Sequence, residues 1–177
     1  ERTRASTGTS GRRLNLVLPS GTGTTSLYLA RHLKKLQEEQ GRRDVRVLTV
    51  PCVGDPQYLK EQLKVLDSVS GLLGCFPDVL HPDTLPKRSF ANPARELIAI
   101  WTELKEAGLD VDLIYAPRTW EALFHHWESS DSLEPEPGTH VDSKSSDCKL
   151  NTWLYVHTGG LEGVESMLDR YRRAGYI

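Results

Sequence analysis

Residues 14–35, LNLVLPSGTGTTSLYLARHLKK, constrain the fold more than any other stretch of the chain. An apolar run climbs from Leu14 to Leu18 and meets Pro19. A burst of Gly, Ser and Thr follows, and then apolar residues return at helical spacing. Leu27, Ala30, Leu33 and Leu36 fall on one face of a helix expected from about Thr25 to Gln40. Gly41 stands where a helix C-cap wants a residue without a Cβ. Apart from Asn15 the leading run is apolar, as expected of a strand buried at the centre of a parallel sheet. A strand that enters a helix through a tight turn is half of a strand–helix–strand unit, and the rest of the chain is read against that expectation.

The alternation continues. Val45 to Val50 is a second β-branched run, and Asp55-Pro56 reads as an N-cap followed by proline at the first helical position. Leu59, Leu63 and Leu66 form the apolar face of that helix. Val79 and Leu80 fit a short strand, and HPDTLPKRSF reads as a loop. Asn92-Pro93 repeats the cap-and-proline signal before Leu97, Trp101 and Leu104, with Gly108 ending the helix. VDLIY (111–115) reads as a third main strand, WEALFHHW as a short helix, WLYVH (153–157) as a fourth strand, and Leu161 to Ala174 as a closing helix. Strands alternating with helices predict an α/β fold, a mostly parallel sheet in three αβα layers. Residues 1–13 are expected to form a flexible tail, 14–177 a single domain, and 129–149 an irregular loop, because ESSDSLEPEPGTHVDSKSSDC has little apolar area to bury.

Composition removes several function classes. The chain has 177 residues, 38% apolar and 26% charged, with a net charge of −2. No global field draws it to nucleic acid or to an anionic membrane. No apolar run approaches the ~18 residues of a membrane helix, and the basic N-terminus lacks the apolar core of a signal peptide. Cys52, Cys75 and Cys148 are odd in number and far apart, which gives neither a disulfide framework nor a zinc pattern and fits a reduced, cytoplasmic setting. His125 and His126 are adjacent on a helix and point to different sides, so no metal site is expected.

The turn SGTGTT is where chemistry can enter. A helix start presents unpaired backbone N–H groups, and the helix dipole adds positive potential. Gly21 and Gly23 let the backbone approach an anion closely, and Thr22, Thr24 and Thr25 add hydroxyl donors. The stretch reads either as a phosphate cradle or as an ordinary glycine-rich turn with a helix cap. Two familiar phosphate loops fit poorly. The Walker loop requires Gly-Lys-Ser/Thr, and no lysine follows before Lys34. The dinucleotide fingerprint requires a third glycine and an acidic residue at the end of the next strand; Ser26 and Pro51-Cys52 stand there instead.

Four blocks, in order, resemble another family. GTGTT (21–25) is similar to a GSGGT phosphate loop, VGDPQYL (53–59) to the segment after the next strand, DLIYAPRTW (112–120) to a DxxYDPVYxG-like segment, and YVHTGGLEG (155–163) to a closing IHTGG. Together they resemble the C-terminal part of the fold-type-II pyridoxal-phosphate enzymes, in the 1-aminocyclopropane-1-carboxylate deaminase and D-cysteine desulfhydrase group. The resemblance implies part of a tryptophan-synthase-β-like large domain and pyridoxal phosphate as cofactor. It implies a small amino acid as substrate, undergoing deamination or β-elimination, and it allows a homodimer.

Carried over by position, the resemblance gives Gly21, Thr22, Gly23, Thr24 and Thr25 to the cofactor phosphate. Thr158 would face the pyridine nitrogen, where a neutral hydroxyl keeps the ring a weaker electron sink than a carboxylate would. Gly159 and Gly160 would form the close turn beneath the ring. The DPVY-type segment reads APRT here, so Thr119 replaces the family's aromatic hydroxyl and Trp120 is available to line the substrate pocket. A second family tyrosine would fall near Ser89-Phe90. The family's cofactor-bearing lysine lies upstream in an Asn-Lys motif that these 177 residues do not contain. The resemblance therefore implies a fragment that lacks its catalytic lysine and is inactive alone, the remaining expectations being a nucleotide- or flavin-binding module or a non-catalytic anion-binding domain.

Overall fold

A computed structural model of the chain describes residues 13–41, 45–71, 73–131 and 152–177. Strand β1 (Leu14–Ser20) leads through the glycine-rich turn into helix α1 (Thr24–Gln40), and β2 (Val45–Pro51) leads into α2 (Pro56–Val69). A short β3 (Asp78–Val79) is followed by α3 (Arg95–Glu106) and α4 (Ala116–Asp131). Strand β4 (Thr152–Tyr155), a 3-10 turn at Leu161–Gly163 and α5 (Val164–Arg173) complete the described chain. The strands form one parallel sheet in the order β3-β2-β1-β4. Leu14 pairs with Val45 on one side of β1 and with Thr152 on the other, so β1 is central and its carboxyl end lies between two neighbours.

The middle of the central strand, Leu16 to Leu18, is apolar because both of its faces are covered. Leu18 packs with Ala30 and Val47 beneath α1. Val17 points the other way and packs with Leu48, Val50, Ala122 and Leu123 against α4. Behind α4, Ile98, Trp101 and Leu104 of α3 meet Met167 and Tyr171 of α5. Helices on both faces of an all-parallel sheet make this an α/β fold compatible with a three-layer αβα arrangement. Among the described residues no helix is long and apolar enough to cross a membrane.

Local signals account for most element ends. The Gly41 amide bonds the Gln37 carbonyl from a left-handed conformation, closing α1. Asp55 accepts from the Tyr58 amide at 2.7 Å, with Pro56 at the helix start. The Arg31 guanidinium of α1 pairs with buried Asp67 of α2, and the same carboxylate accepts the Leu73 and Gly74 amides. One charged pair thereby ties α1, α2 and the chain leaving α2 together.

Three expectations are corrected. Residues 111–115 do not form a strand. The Asp112 carboxylate accepts the amides of Ile114, Tyr115 and Ala116, which turns the chain into α4 at Ala116, while Val111 and Leu113 join the α3–α5 core. Asn92 does not cap α3; its amide closes a turn onto the Ser89 carbonyl, and the helix starts at Arg95 behind Ala94. Helix α4 runs through Asp131, so the start of the expected 129–149 loop is helical; the rest of that stretch, and tail residues 1–12, lie outside the described residues.

The two glycines of the first turn differ in kind. Gly23 has φ +86°, and a Cβ there would come within 2.7 Å of Leu63 Cδ2 and 3.1 Å of Leu59 Cδ1. Gly23 therefore serves the packing of α1 on α2. Gly21 has no such constraint, since its Cβ would meet Val53 and the Tyr115 hydroxyl at 3.6 and 3.8 Å, ordinary contact distances. A left-handed non-glycine residue costs about 1–2 kcal/mol before any clash. At roughly 2–4 °C per kcal/mol for a chain of this size, Gly23→Ala lowers the melting temperature by at least several degrees. Gly21→Ala leaves it nearly unchanged; equal losses in a thermal melt would refute this division.

Candidate functional site

The turn between β1 and α1 rests on buried hydroxyls. Thr49 of β2 donates to Ser20 at the end of β1, Ser20 shares a hydrogen bond with Ser26 at 3.0 Å, and Ser26 donates to the Gly23 carbonyl at 2.9 Å. This chain of contacts satisfies polar groups that burial would otherwise penalise, and it fixes the turn against the sheet. Above it, α1 begins without a side-chain cap. The amides of its first turn have no acceptor within the helix. Thr22, Thr24 and Thr25 are exposed, and the Thr22 and Thr24 hydroxyls lie 3.2 Å apart.

The second turn follows β4. Val156 still bonds the Val17 carbonyl, and then His157, Thr158, Gly159 and Gly160 carry the chain away from the sheet. Gly159 and Gly160 have φ +102° and +101°; a Cβ on Gly160 would lie 3.2 Å from Asp112 Cβ, whereas Gly159 faces open space. Asp112 also joins the two segments through its backbone, its amide donating to His157 Nε2 at 3.3 Å.

Both turns open onto one cleft of about 440 Å³, whose walls include Gly21 to Thr25, Val53, Phe90, Tyr115 and Thr158. The cleft lies at the carboxyl end of the parallel sheet. Strand β1 is succeeded by β2 on one side and flanked by β4 on the other, so the strand order reverses there. Parallel α/β sheets bind ligands at such a switch point, because the loops leaving neighbouring strands diverge and leave a crevice. The volume is in the range of small-molecule sites, roughly 300–1,000 Å³. One wall carries helix-start amides and threonine hydroxyls, another the Thr158 hydroxyl, and the aromatic side chains of Phe90 and Tyr115 stand with centroids 5.6 Å apart.

The structure thus brings Gly21, Thr22, Gly23, Thr24, Thr25 and Thr158 together. The other residues expected at the pocket stand elsewhere. Because the helix begins at Ala116, Thr119 lies one turn inside α4, fully buried, donating to the Tyr115 carbonyl at 2.9 Å. Trp120 belongs to an aromatic cluster with Phe124, Trp127 and Tyr155. Gly159 is a turn residue beside the cleft rather than part of its wall. Tyr115 occupies the wall that Thr119 and Trp120 were expected to form. Its place at the last residue before a helix, with Pro117 just inside, matches the position of a cleft residue, but the VDLIY pattern reads equally well as strand. Phe90, at the position expected of a family tyrosine, lines the cleft without a hydroxyl.

Two neighbouring groups are structural. Arg88 and the buried Arg118 share the buried Glu121 carboxylate: Arg88 Nε lies 3.0 and 3.1 Å from its oxygens, and Arg118 Nη1 lies 2.6 Å from Oε2. The cluster pins the loop carrying Phe90 to α4. Six lysines are described, Lys34, Lys35, Lys60, Lys64, Lys87 and Lys105; all are exposed and none lines the cleft. No known family model matches the chain, and no curated protein matches it.

Cys52, just past β2, lies near the cleft but is not armed as a nucleophile. Burial pushes its thiol up to about 12, and the hydrogen bond with Thr119 at 3.9 Å offsets only part of that. The thiolate is the reactive form, so Cys52 in the folded protein should resist iodoacetamide at pH 8 while partly exposed Cys75 is alkylated. Peptide mapping that finds Cys52 modified as fast as Cys75 would show the thiol to be accessible and ionised.

Proposed function

We propose that these residues form the cofactor-holding part of a pyridoxal-phosphate-dependent lyase or deaminase that acts on a small amino acid, in a tryptophan-synthase-β-like fold. One observation carries the reading: the GTGTT turn and the HTGG turn, far apart in sequence, open onto one cleft at the switch point of a parallel sheet. The residues suit the cofactor. Gly21 lacks a Cβ where one would stand against the cleft residues Val53 and Tyr115, leaving room for a phosphate over the first-turn amides. The exposed Thr22, Thr24 and Thr25 side chains add hydroxyl donors, and Thr158 offers a neutral hydroxyl to a ring nitrogen.

The cofactor, when bound, supplies an electron sink for the carbon bearing the amino group. The chain's own contribution is to hold the phosphate by backbone amides and hydroxyls, to orient the ring through Thr158, and to flank the site with the side chains of Phe90 and Tyr115. A neutral Thr158 partner leaves the ring nitrogen without the proton that a carboxylate would retain, which favours elimination over competing reactions. The amine that tethers the cofactor is not among the described lysines, so in this reading it comes from a segment outside these residues.

Binding separates the two ends of the site. Pyridoxamine phosphate has the same phosphate and ring nitrogen and forms no adduct with surface lysines, so its affinity can be measured by calorimetry. A hydrogen bond to a charged group contributes about 1.5–3 kcal/mol. Gly21→Ala, which covers the anion end, should therefore weaken pyridoxamine phosphate and inorganic phosphate about tenfold or more. Thr158→Val should weaken pyridoxamine phosphate alone. The chain by itself should turn over neither D-cysteine nor 1-aminocyclopropane-1-carboxylate with added cofactor. Tighter binding of ADP or flavin mononucleotide than of pyridoxamine phosphate would overturn the assignment, and turnover by this chain would overturn the placing of the tethering amine outside it.

A further inference from the structure

The Tyr115 side chain flanks the cleft, and its hydroxyl has no role in the cofactor assignment above. Its hydroxyl is 3.8 Å from where a Cβ on Gly21 would stand, so it lies directly against the glycine that opens the anion end. Its backbone is fixed from behind. The Tyr115 amide donates to Asp112 Oδ1, and its carbonyl accepts from the Thr119 amide and hydroxyl at 3.0 and 2.9 Å. Its ring is held at a tilt of 49° to Phe90. The side chain is therefore anchored at its base and along its ring, while its hydroxyl makes no hydrogen bond to a described residue.

We propose that the Tyr115 hydroxyl is a phosphate ligand, donating from the α4 side of the cleft to the anion that the Gly21–Thr25 turn holds from the α1 side. The inference rests on the phosphate-binding reading of the cleft and adds a donor to it. Burial raises the hydroxyl's pKa, with nearby Cys52 and Asp112 adding to the shift, so at neutral pH the group keeps its proton and can donate. A donor there also solves a problem of geometry. The first-turn amides of α1 approach a phosphate from one direction only, and a phosphate has oxygens left over that require partners or water. The Tyr115 hydroxyl stands across Gly21 from the first-turn amides, where it can meet oxygens that those amides leave unpaired. The ligand class is a phosphomonoester or free phosphate, which share this end and differ in what fills the cleft toward Thr158.

Tyr115→Phe tests the assignment, because it keeps the ring, the contact with Phe90 and every backbone bond. The melting temperature of the ligand-free protein should stay unchanged. Affinity for inorganic phosphate and for pyridoxamine phosphate, measured by calorimetry, should each fall about tenfold, and the 31P resonance of bound phosphate should move. Parental affinity of the variant for both ligands would overturn the proposal while leaving the cleft's phosphate-binding reading intact. Loss of affinity for pyridoxamine phosphate alone would also overturn it, by placing the hydroxyl at the ring. Failure of the parent protein to bind either ligand would remove the reading beneath it.

Discussion

The carboxylate of Asp112 is the constraint on which the arrangement of the cleft depends. It is buried, and it accepts three successive amides at the point where the chain would otherwise continue extended. A buried carboxylate needs such partners, and amides at a helix start are the ones best aligned with the dipole. The result is a helix that begins at Ala116 and a Tyr115 placed at its threshold. The same residue meets the second turn: its amide bonds His157, and its Cβ stands 3.2 Å from where a Cβ on Gly160 would lie, a tight contact at a position whose φ of +101° already favours glycine. One aspartate therefore sets the spacing between the wall that carries Tyr115 and the turn that carries Thr158.

The opposite wall is set differently. Ser20, Ser26 and Thr49 hold the first turn from below through buried hydroxyls, and Gly23 lets α1 settle on Leu59 and Leu63 of α2. These residues shape the turn from the sheet and α2 sides, and of them Ser20 and Gly23 also border the cleft. Gly21 and the exposed threonines are the ones left free to meet a ligand. Structural and ligand-facing demands are thus divided between neighbouring positions, and a substitution at Gly23 reports on packing whereas one at Gly21 reports on binding.

The strand–turn–helix units around β1 and β2 were legible in the sequence because their signals are local: apolar runs, Asp55-Pro56, Gly41 and the GTGTT turn. Leu27 and Ala30, read as one buried helical face, pack as expected. The segment 111–115 was not legible, since VDLIY has the composition of a strand and its conformation is decided by what Asp112 bonds. That single difference carries Thr119 and Trp120 off the cleft and puts Tyr115 on it. Asn92-Pro93 misleads for a related reason: the same dipeptide closes a turn onto Ser89 as readily as it starts a helix. The meeting of residues 21–25 with Thr158 depends on β4 pairing beside β1, a non-local contact that periodicity does not encode.

The central claim is that one ligand spans the two turns, its phosphate on the first and its ring toward the second. An amide-resolved NMR titration with pyridoxamine phosphate measures this most directly. The account predicts that resonances of Gly21 to Thr25 and of Thr158 to Gly160 shift along a single binding isotherm, whereas inorganic phosphate moves only the first set. Shifts confined to one turn with pyridoxamine phosphate, or two sets that follow different isotherms, would contradict it.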